Sequence, residues 1–296
     1  MIEHGVGGAC SRRVFLSTSC AWLTATLARA RSASPRFGVR SPFPNEDLAS
    51  RARLVRALGY DGIELGPEYL DRSADEIREA LAGTGLAVSA IVGSLHLLDP
   101  DPAVRTRAVE LDRERLGLAQ ALGASGVIEV PAFGPCRFPE VANTPPPHRK
   151  EDELLVAALR SLAPDIRRTG VRLLIEPLTK GETHYMNLQS HGARVIEESQ
   201  TPGVALLSDF YHMQMEEPDI AATLGTYGRH TAYVHLADGA ARTEPGSLPF
   251  DYRPGFHALK AAGFDGWLTM ECKATDNAEA ALARALAYVK RQWAEA

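Results

Sequence analysis

Four residues whose chemistry could be shared stand at similar points of four consecutive apolar runs. Glu176 ends Leu-Ile-Glu-Pro, Asp209 ends Leu-Leu-Ser-Asp, His235 lies in Tyr-Val-His-Leu-Ala-Asp, and Glu271 ends Leu-Thr-Met-Glu. Brought together at one end of a sheet, three carboxylates could not stay charged and unpaired, because desolvation disfavours the ionised forms. A divalent cation would offset that cost. The oxygen-rich set with one imidazole suits Mn2+ first, with Mg2+, Co2+ or Zn2+ as alternatives, and four protein ligands leave room for two substrate oxygens. Each residue alone has a plainer reading. Glu176 before Pro177 could be a loop carboxylate, Asp209 a helix cap, His235 a satisfied core histidine, and Glu271 the partner of Lys273 or Arg242. Their recurrence at matched positions favours the metal set.

The elements that must position them are legible as alternation. Apolar runs at 37–43, 60–66, 87–93, 126–132, 171–178, 204–210, 232–238 and 266–272 alternate with amphipathic segments. Near-continuous apolar runs suit parallel strands covered on both faces. Helix punctuation lies between them: Asn45 as a first cap, Ser73 with Glu76 as a capping box before Gly83, and Gly123 and Gly170 after helical stretches at 102–122 and 151–168. A last helix is expected over 278–293. Eight strand–helix units predict an α/β fold, a (β/α)8 TIM barrel over 34–296, whose active site lies at the C-terminal ends of the strands. A doubly wound open sheet is the alternative, but it would not need eight equal units. The longest irregular stretch, 133–148, follows the fourth strand and is read as a lid or a surface loop.

Composition bounds the function classes. The chain has 296 residues, 45% apolar and 23% charged, enough for one large barrel. Four arginines and one glutamate precede residue 34, so the remainder carries a formal charge of −8 against −5 for the whole chain. Such an acidic body has no electrostatic footprint for nucleic acid and no basic face for a membrane surface. Residues 1–33 read as a twin-arginine-type signal: Ser11-Arg12-Arg13-Val14-Phe15-Leu16, a short apolar run, then small residues around Ala28, Ala30 and Ala33. The expected location is periplasmic or secreted, with no stable membrane association after cleavage, or cytoplasmic if the leader does not function. Cys10, Cys20, Cys136 and Cys272 form no CxxC spacing, so neither a thiolate zinc site nor a redox pair is indicated.

Four motifs carry a family resemblance: Ile-Glu176-Pro-Leu with Glu182, Thr183 and Asn187; Leu-Ser-Asp209-Phe-Tyr-His212-Met with Glu216, Glu217 and Asp219; Val-His235-Leu-Ala-Asp238 with Arg242, Pro245 and Gly246; and Gly-Trp-Leu-Thr-Met-Glu271-Cys. Strand two adds Gly-Tyr-Asp-Gly-Ile-Glu64-Leu. The sequence resembles the sugar phosphate isomerase/epimerase family of xylose isomerase-like barrels, near the D-tagatose 3-epimerase and hydroxypyruvate isomerase branch. The resemblance implies one divalent metal on Glu176, Asp209, His235 and Glu271, with Glu176 and Glu271 doubling as the acid/base pair. It implies that His212 and Arg242 hold substrate oxygens and that Glu182 orients the site. Glu64 and His96 are further candidates for substrate binding, His96 with a catalytic or capping role as its alternatives. The glycine-rich continuation usual in the family is Ser-Leu-Pro after Gly246, which leaves the substrate open.

The function expected is a sugar isomerase or epimerase working through an enediolate on a small sugar or keto-glycoside. Two alternatives stand beside it: an exported 3-keto-glycoside lyase using the same metal, and a non-catalytic periplasmic sugar-binding protein. An abasic-site endonuclease would want more histidines and a less acidic body. A xylose isomerase proper would want a second metal site and a catalytic lysine, for which only Lys180 and Lys273 are at hand. Homo-oligomer formation is left open.

Overall fold

A computed structural model describes residues 34–42, 47–138 and 148–296; the segment 1–33 expected to be a leader, Asn45 and residues 139–147 of the long loop lie outside the described residues. The described chain alternates β1 (Arg36–Ser41), α1 (Leu48–Ala57), β2 (Gly62–Leu65), α2 (Ala74–Leu81), β3 (Ala87–Val92), α3 (Pro102–Leu122), β4 (Gly126–Glu129), α4 (Arg149–Thr169), β5 (Arg172–Ile175) and α5 (Gln189–Ser199). It continues with β6 (Val204–Asp209), α6 (Phe210–Glu216), α7 (Ile220–Tyr227), β7 (Thr231–Leu236), α8 (Arg253–Ala261), β8 (Trp267–Glu271) and α9 (Ala278–Glu295). The eight strands are parallel and close into a barrel in chain order, β1 completing the ring against β8. The expected (β/α)8 TIM barrel is therefore the fold. No helix among the described residues is long and apolar enough to cross a membrane.

The local signals act as their chemistry requires. Ser73 and Glu76 exchange the reciprocal bonds of a capping box at the start of α2. Gly123 and Gly170 end α3 and α4 in the left-handed region, where a residue without a Cβ costs least. The cap of α1 is Asp47, whose carboxylate accepts from the amides of Ala49 and Ser50.

Inside the barrel, Ala90, Ile128, Leu174, Leu207, Tyr233 and Trp267 form a buried apolar layer. Gly62 makes room for it: a Cβ there would lie 2.5 Å from the Trp267 ring. A second layer of side chains, from Val55, Leu116, Leu159, Val195, Phe256 and Leu282 among others, joins the helices to the outer face of the strands. This is the two-layer burial that a parallel barrel demands.

One feature of the scaffold is costly. Glu129, at the end of β4, and Asp112, on α3, are both fully buried, and their carboxylates lie 3.3 and 3.2 Å from the same hydroxyl, Ser94 Oγ. Neither makes an ion pair among the described residues. Burial is the main cause that raises both carboxyls, Asp112 to about 7. A carboxyl whose pKa is higher in the folded state binds extra protons there, so its contribution is most favourable at low pH and is lost as pH rises from about 4 through about 7. Asp112→Asn should therefore stabilise the protein at about pH 8, by on the order of 1–3 kcal/mol, with the gain vanishing toward pH 4. Denaturant unfolding across that range checks it; a gain independent of pH would show that the Asp112 carboxyl is not raised in the folded protein.

Candidate active site

The C-terminal ends of four consecutive strands converge. One ligand atom each from Glu176, Asp209, His235 and Glu271 lies within 4.8 Å of the others. Asp209 and Glu271 close β6 and β8, Glu176 follows β5 directly, and His235 is the penultimate residue of β7. Glu176, Asp209 and His235 are buried, while Glu271 is partly exposed. The plain readings also hold in part: Asp209 caps α6 through the amide of Tyr211 with one oxygen while the other joins the group, and Glu271 pairs with Arg242.

The imidazole shows how the group is oriented. His235 Nε2 lies 2.7 Å from Glu64 Oε2, and His235 Nδ1 lies 2.9 Å from Glu271 and 3.4 Å from Glu176. With Nε2–H donated to Glu64, Nδ1 is the nitrogen that faces the three carboxylates, the carboxylate–histidine arrangement by which proteins aim a metal-ligating ring. Glu64 is itself fixed from below. The Tyr233 hydroxyl donates to it at 2.9 Å and accepts from Thr269 Oγ1 at 2.8 Å. The donor set thus fits a divalent cation: three carboxylates and one oriented nitrogen, close enough for a small adjustment to bring all four onto one ion.

Two arginines answer the negative charge. Arg242 Nη2 donates to Asp209 at 2.8 Å and to Glu271 at 2.6 Å, and its guanidinium lies over the Tyr211 ring. Arg40, at the end of β1, lies 3.3 Å from Glu64 and 3.5 Å from Glu271. Burial pulls the His235 imidazole down, but Glu64 and Glu271 outweigh it and hold the ring well above its usual range. Burial raises the Glu176 carboxyl more than its bond to His235 lowers it. In Glu271 the balance reverses: burial raises the carboxyl, but His235, Arg242 and Arg40 together hold it well below the usual carboxylate range. Burial and neighbouring charges thus shift the two glutamates in opposite directions.

His212 completes the wall. The amide of Thr179 donates to its Nδ1 at 3.1 Å, so Nε2 carries the proton. That Nε2–H is buried without a hydrogen-bond partner and points toward Asp209 at 3.5 Å and Glu176 at 4.0 Å. Glu182 stands 4.0 Å from the other side of the same ring. Among the residues expected from the sequence, the structure brings together Glu176, Asp209, His235, Glu271, His212, Arg242 and Glu182. Glu64 lies behind His235, 1% exposed, with its carboxylate held by His235, Tyr233 and Arg40. His96 makes no contact with the group; it is exposed and lines a cavity with Leu98, Phe133, Arg137 and His184. Arg40 was not anticipated, and its one signal is a cation inside the apolar run Phe-Gly-Val-Arg-Ser.

Comparison with known proteins finds barrels of the same kind. The family described as "Xylose isomerase-like TIM barrel" matches residues 52–292. A 3-dehydro-D-guloside 4-epimerase from Escherichia coli K12 is 30% identical over 243 residues, covering 80% of this chain and 92% of that protein. An L-ribulose 3-epimerase from Mesorhizobium japonicum is 28% identical over 247 residues, covering 81% and 80% respectively. The apo crystal structure of a 3-keto-D-glucoside 4-epimerase from E. coli superposes with a TM-score of 0.77 at 26% identity, covering 87% of this chain and 99% of that one. These relatives are sugar epimerases, and the chain belongs to the xylose isomerase-like TIM barrel family.

Proposed function

We propose that this protein is a divalent-metal-dependent sugar epimerase that inverts a carbon next to a ketone, with 3-keto-glycosides as the first substrate class and free ketoses as the second. The observation that carries the reading is the convergence of Glu176, Asp209, His235 and Glu271, with His235 Nδ1 lying between the two glutamates. The names of the two relatives above share one chemical feature. In a 3-keto-glycoside epimerised at C4 and a ketose epimerised at C3, the inverted carbon adjoins the carbonyl.

Glu176, Asp209, His235 and Glu271 would hold the cation, Mn2+ in preference to Mg2+, Co2+ or Zn2+. A cation there supplies Lewis acidity, stabilising negative charge on the sugar's carbonyl oxygen and so acidifying the neighbouring C–H. The protein's own groups do the rest. One glutamate takes the proton from that carbon as base, and the electron pair of the broken C–H bond enters the enediolate. The other glutamate, protonated at that stage, returns a proton to the opposite face. No atom is gained or lost, and one stereocentre is inverted. His212 Nε2–H and the Arg242 guanidinium bind sugar oxygens and set the face presented to each glutamate. The leader at 1–33 belongs to the same proposal: export would keep the enzyme away from the cytoplasmic sugar phosphates.

The test uses the purified protein stripped of metal and reloaded with Mn2+, incubated with 3-keto-glycosides and with ketoses in D2O. The expected result is an epimer carrying one solvent deuteron at the inverted carbon. Glu271→Gln should keep sugar binding and lose turnover by about 10^2–10^4-fold. Release of the free aglycone would point instead to a lyase. Sugar binding with no exchange in the metal-loaded protein would leave a binding protein.

Metal dependence has its own checks. Asp209→Ala should lose the bound ion and the activity together. Glu64→Gln, which touches no substrate, should weaken metal affinity by about 10–100-fold, because His235 loses the partner that aims it. Competition with a chelating dye measures this; unchanged affinity would mean that His235 is held by its other neighbours.

A further inference from the structure

A second group of donors shares no residue with the first. Cys136 lies in the loop after β4, Glu151 in the first turn of α4, and His184 in the loop after β5, and a ligand atom of each lies within 4.8 Å of the others. Glu151 is completely buried. Its Oε1 faces His184 Nε2 at 2.5 Å and its Oε2 faces His148 Nδ1 at 3.0 Å. His184 Nδ1 lies 2.9 Å from the carbonyl oxygen of Gly134. A carbonyl only accepts, so Nδ1 carries the proton and Nε2 is the nitrogen turned to the carboxylate. A ring fixed by a backbone carbonyl on one nitrogen and presenting the other to a buried carboxylate is the usual posture of a metal-ligating histidine.

We propose that Cys136, Glu151 and His184 form a second metal site, selective for Zn2+ or another thiophilic divalent transition metal, with water as the fourth ligand. A plain histidine–glutamate ion pair would account for His184 and Glu151, and the Cys136 thiol has a long contact of 3.9 Å to the Phe138 carbonyl, but neither contact accounts for the sulfur standing within 4.8 Å of both other donors. With bonds of about 2.3 Å to sulfur and about 2.0–2.2 Å to nitrogen and oxygen, a tetrahedral ion needs its ligand atoms about 3.3–3.6 Å apart. The ring and the carboxylate would part by about 1 Å, and the thiolate, within 4.8 Å of both, would close in by at most about 1.3 Å. His148 holds the remaining carboxylate oxygen in place. The thiolate distinguishes this site from the all-oxygen-and-imidazole group at the strand ends, so the two prefer different ions.

The position gives the ion a structural task. The loops after β4 and β5 already meet there: the Gly134 amide donates to the Glu182 carbonyl at 2.7 Å, and the His184 amide donates to the Gly134 carbonyl at 3.0 Å. Glu182 in turn stands beside His212. A metal bridging Cys136, Glu151 and His184 ties both loops to α4 next to the substrate-binding wall.

Co2+ separates the two sites, because only a cysteine-ligated ion gives thiolate-to-cobalt charge-transfer absorption in the near ultraviolet. The Co2+-loaded full chain should show this band, and Asp209→Ala should keep it. Cys136→Ser, a change at an exposed position, and His184→Ala should abolish it. Zn2+ should also slow alkylation of Cys136 at least tenfold, as expected for a coordinated thiolate. The inference is overturned if the band is absent or survives in Cys136→Ser, or if Zn2+ leaves the alkylation rate of Cys136 unchanged. A band that persists in Asp209→Ala upholds this site even if the strand-end group binds no ion.

Discussion

The repulsion among buried carboxylates at the strand ends is the constraint around which the rest of this structure is arranged. Two unit charges about 4 Å apart interact by about 4 kcal/mol at an effective dielectric constant of 20, so an unanswered set of three would undo much of a domain's stability. The structure answers from three directions. His235 lies between Glu176 and Glu271, Arg242 bridges Asp209 and Glu271, and Arg40 reaches in from β1 between Glu64 and Glu271. Each answer fixes a geometry as well as a charge. Glu64 settles which nitrogen of His235 faces the group, and Tyr233, wedged between Glu64 and Thr269, settles where Glu64 stands.

This arrangement explains the layering of the barrel. Beneath the charged group lies a layer of hydroxyls and one carboxylate, and beneath that an apolar layer that includes Trp267. The polar layer can be buried because its members satisfy one another, and the apolar layer beneath supplies the rigid floor. The geometry at the mouth therefore depends on side chains buried beneath it.

The sequence disclosed this plan unevenly, for physical reasons. The strands are legible because a parallel barrel buries both faces of each, leaving short apolar runs, and Glu176, Asp209 and Glu271 stand where those runs end. His212, Arg242 and Glu182 carry no such periodic signal, and the roles expected of them rest on the resemblance alone. Arg40 gives little signal, because one cation in a strand is easily taken as a surface residue, and a strand pattern does not reveal the depth at which Glu64 lies. The loop after β6 hides two short helices, α6 and α7, broken at Glu217 and Pro218, where spacing alone gives no clear boundary. The donors Cys136, Glu151 and His184 come from three separate segments, so no local spacing could announce them.

Asp209 has a consequence for how the molecule would respond to its surroundings. One of its oxygens caps the first turn of α6 while the other faces the charged group, and α6 carries both His212 and Gln214. Gln214 spans to the β7 side, donating to the Ala237 carbonyl and accepting from the Gly239 amide. Any change in what Asp209 holds is thus transmitted as a change in the footing of a helix. A cation bound there would be coupled to the ordering of that helix, each raising the other's free-energy gain by the same amount. The wall that would grip the sugar is in this sense a reporter of the charge state beneath it.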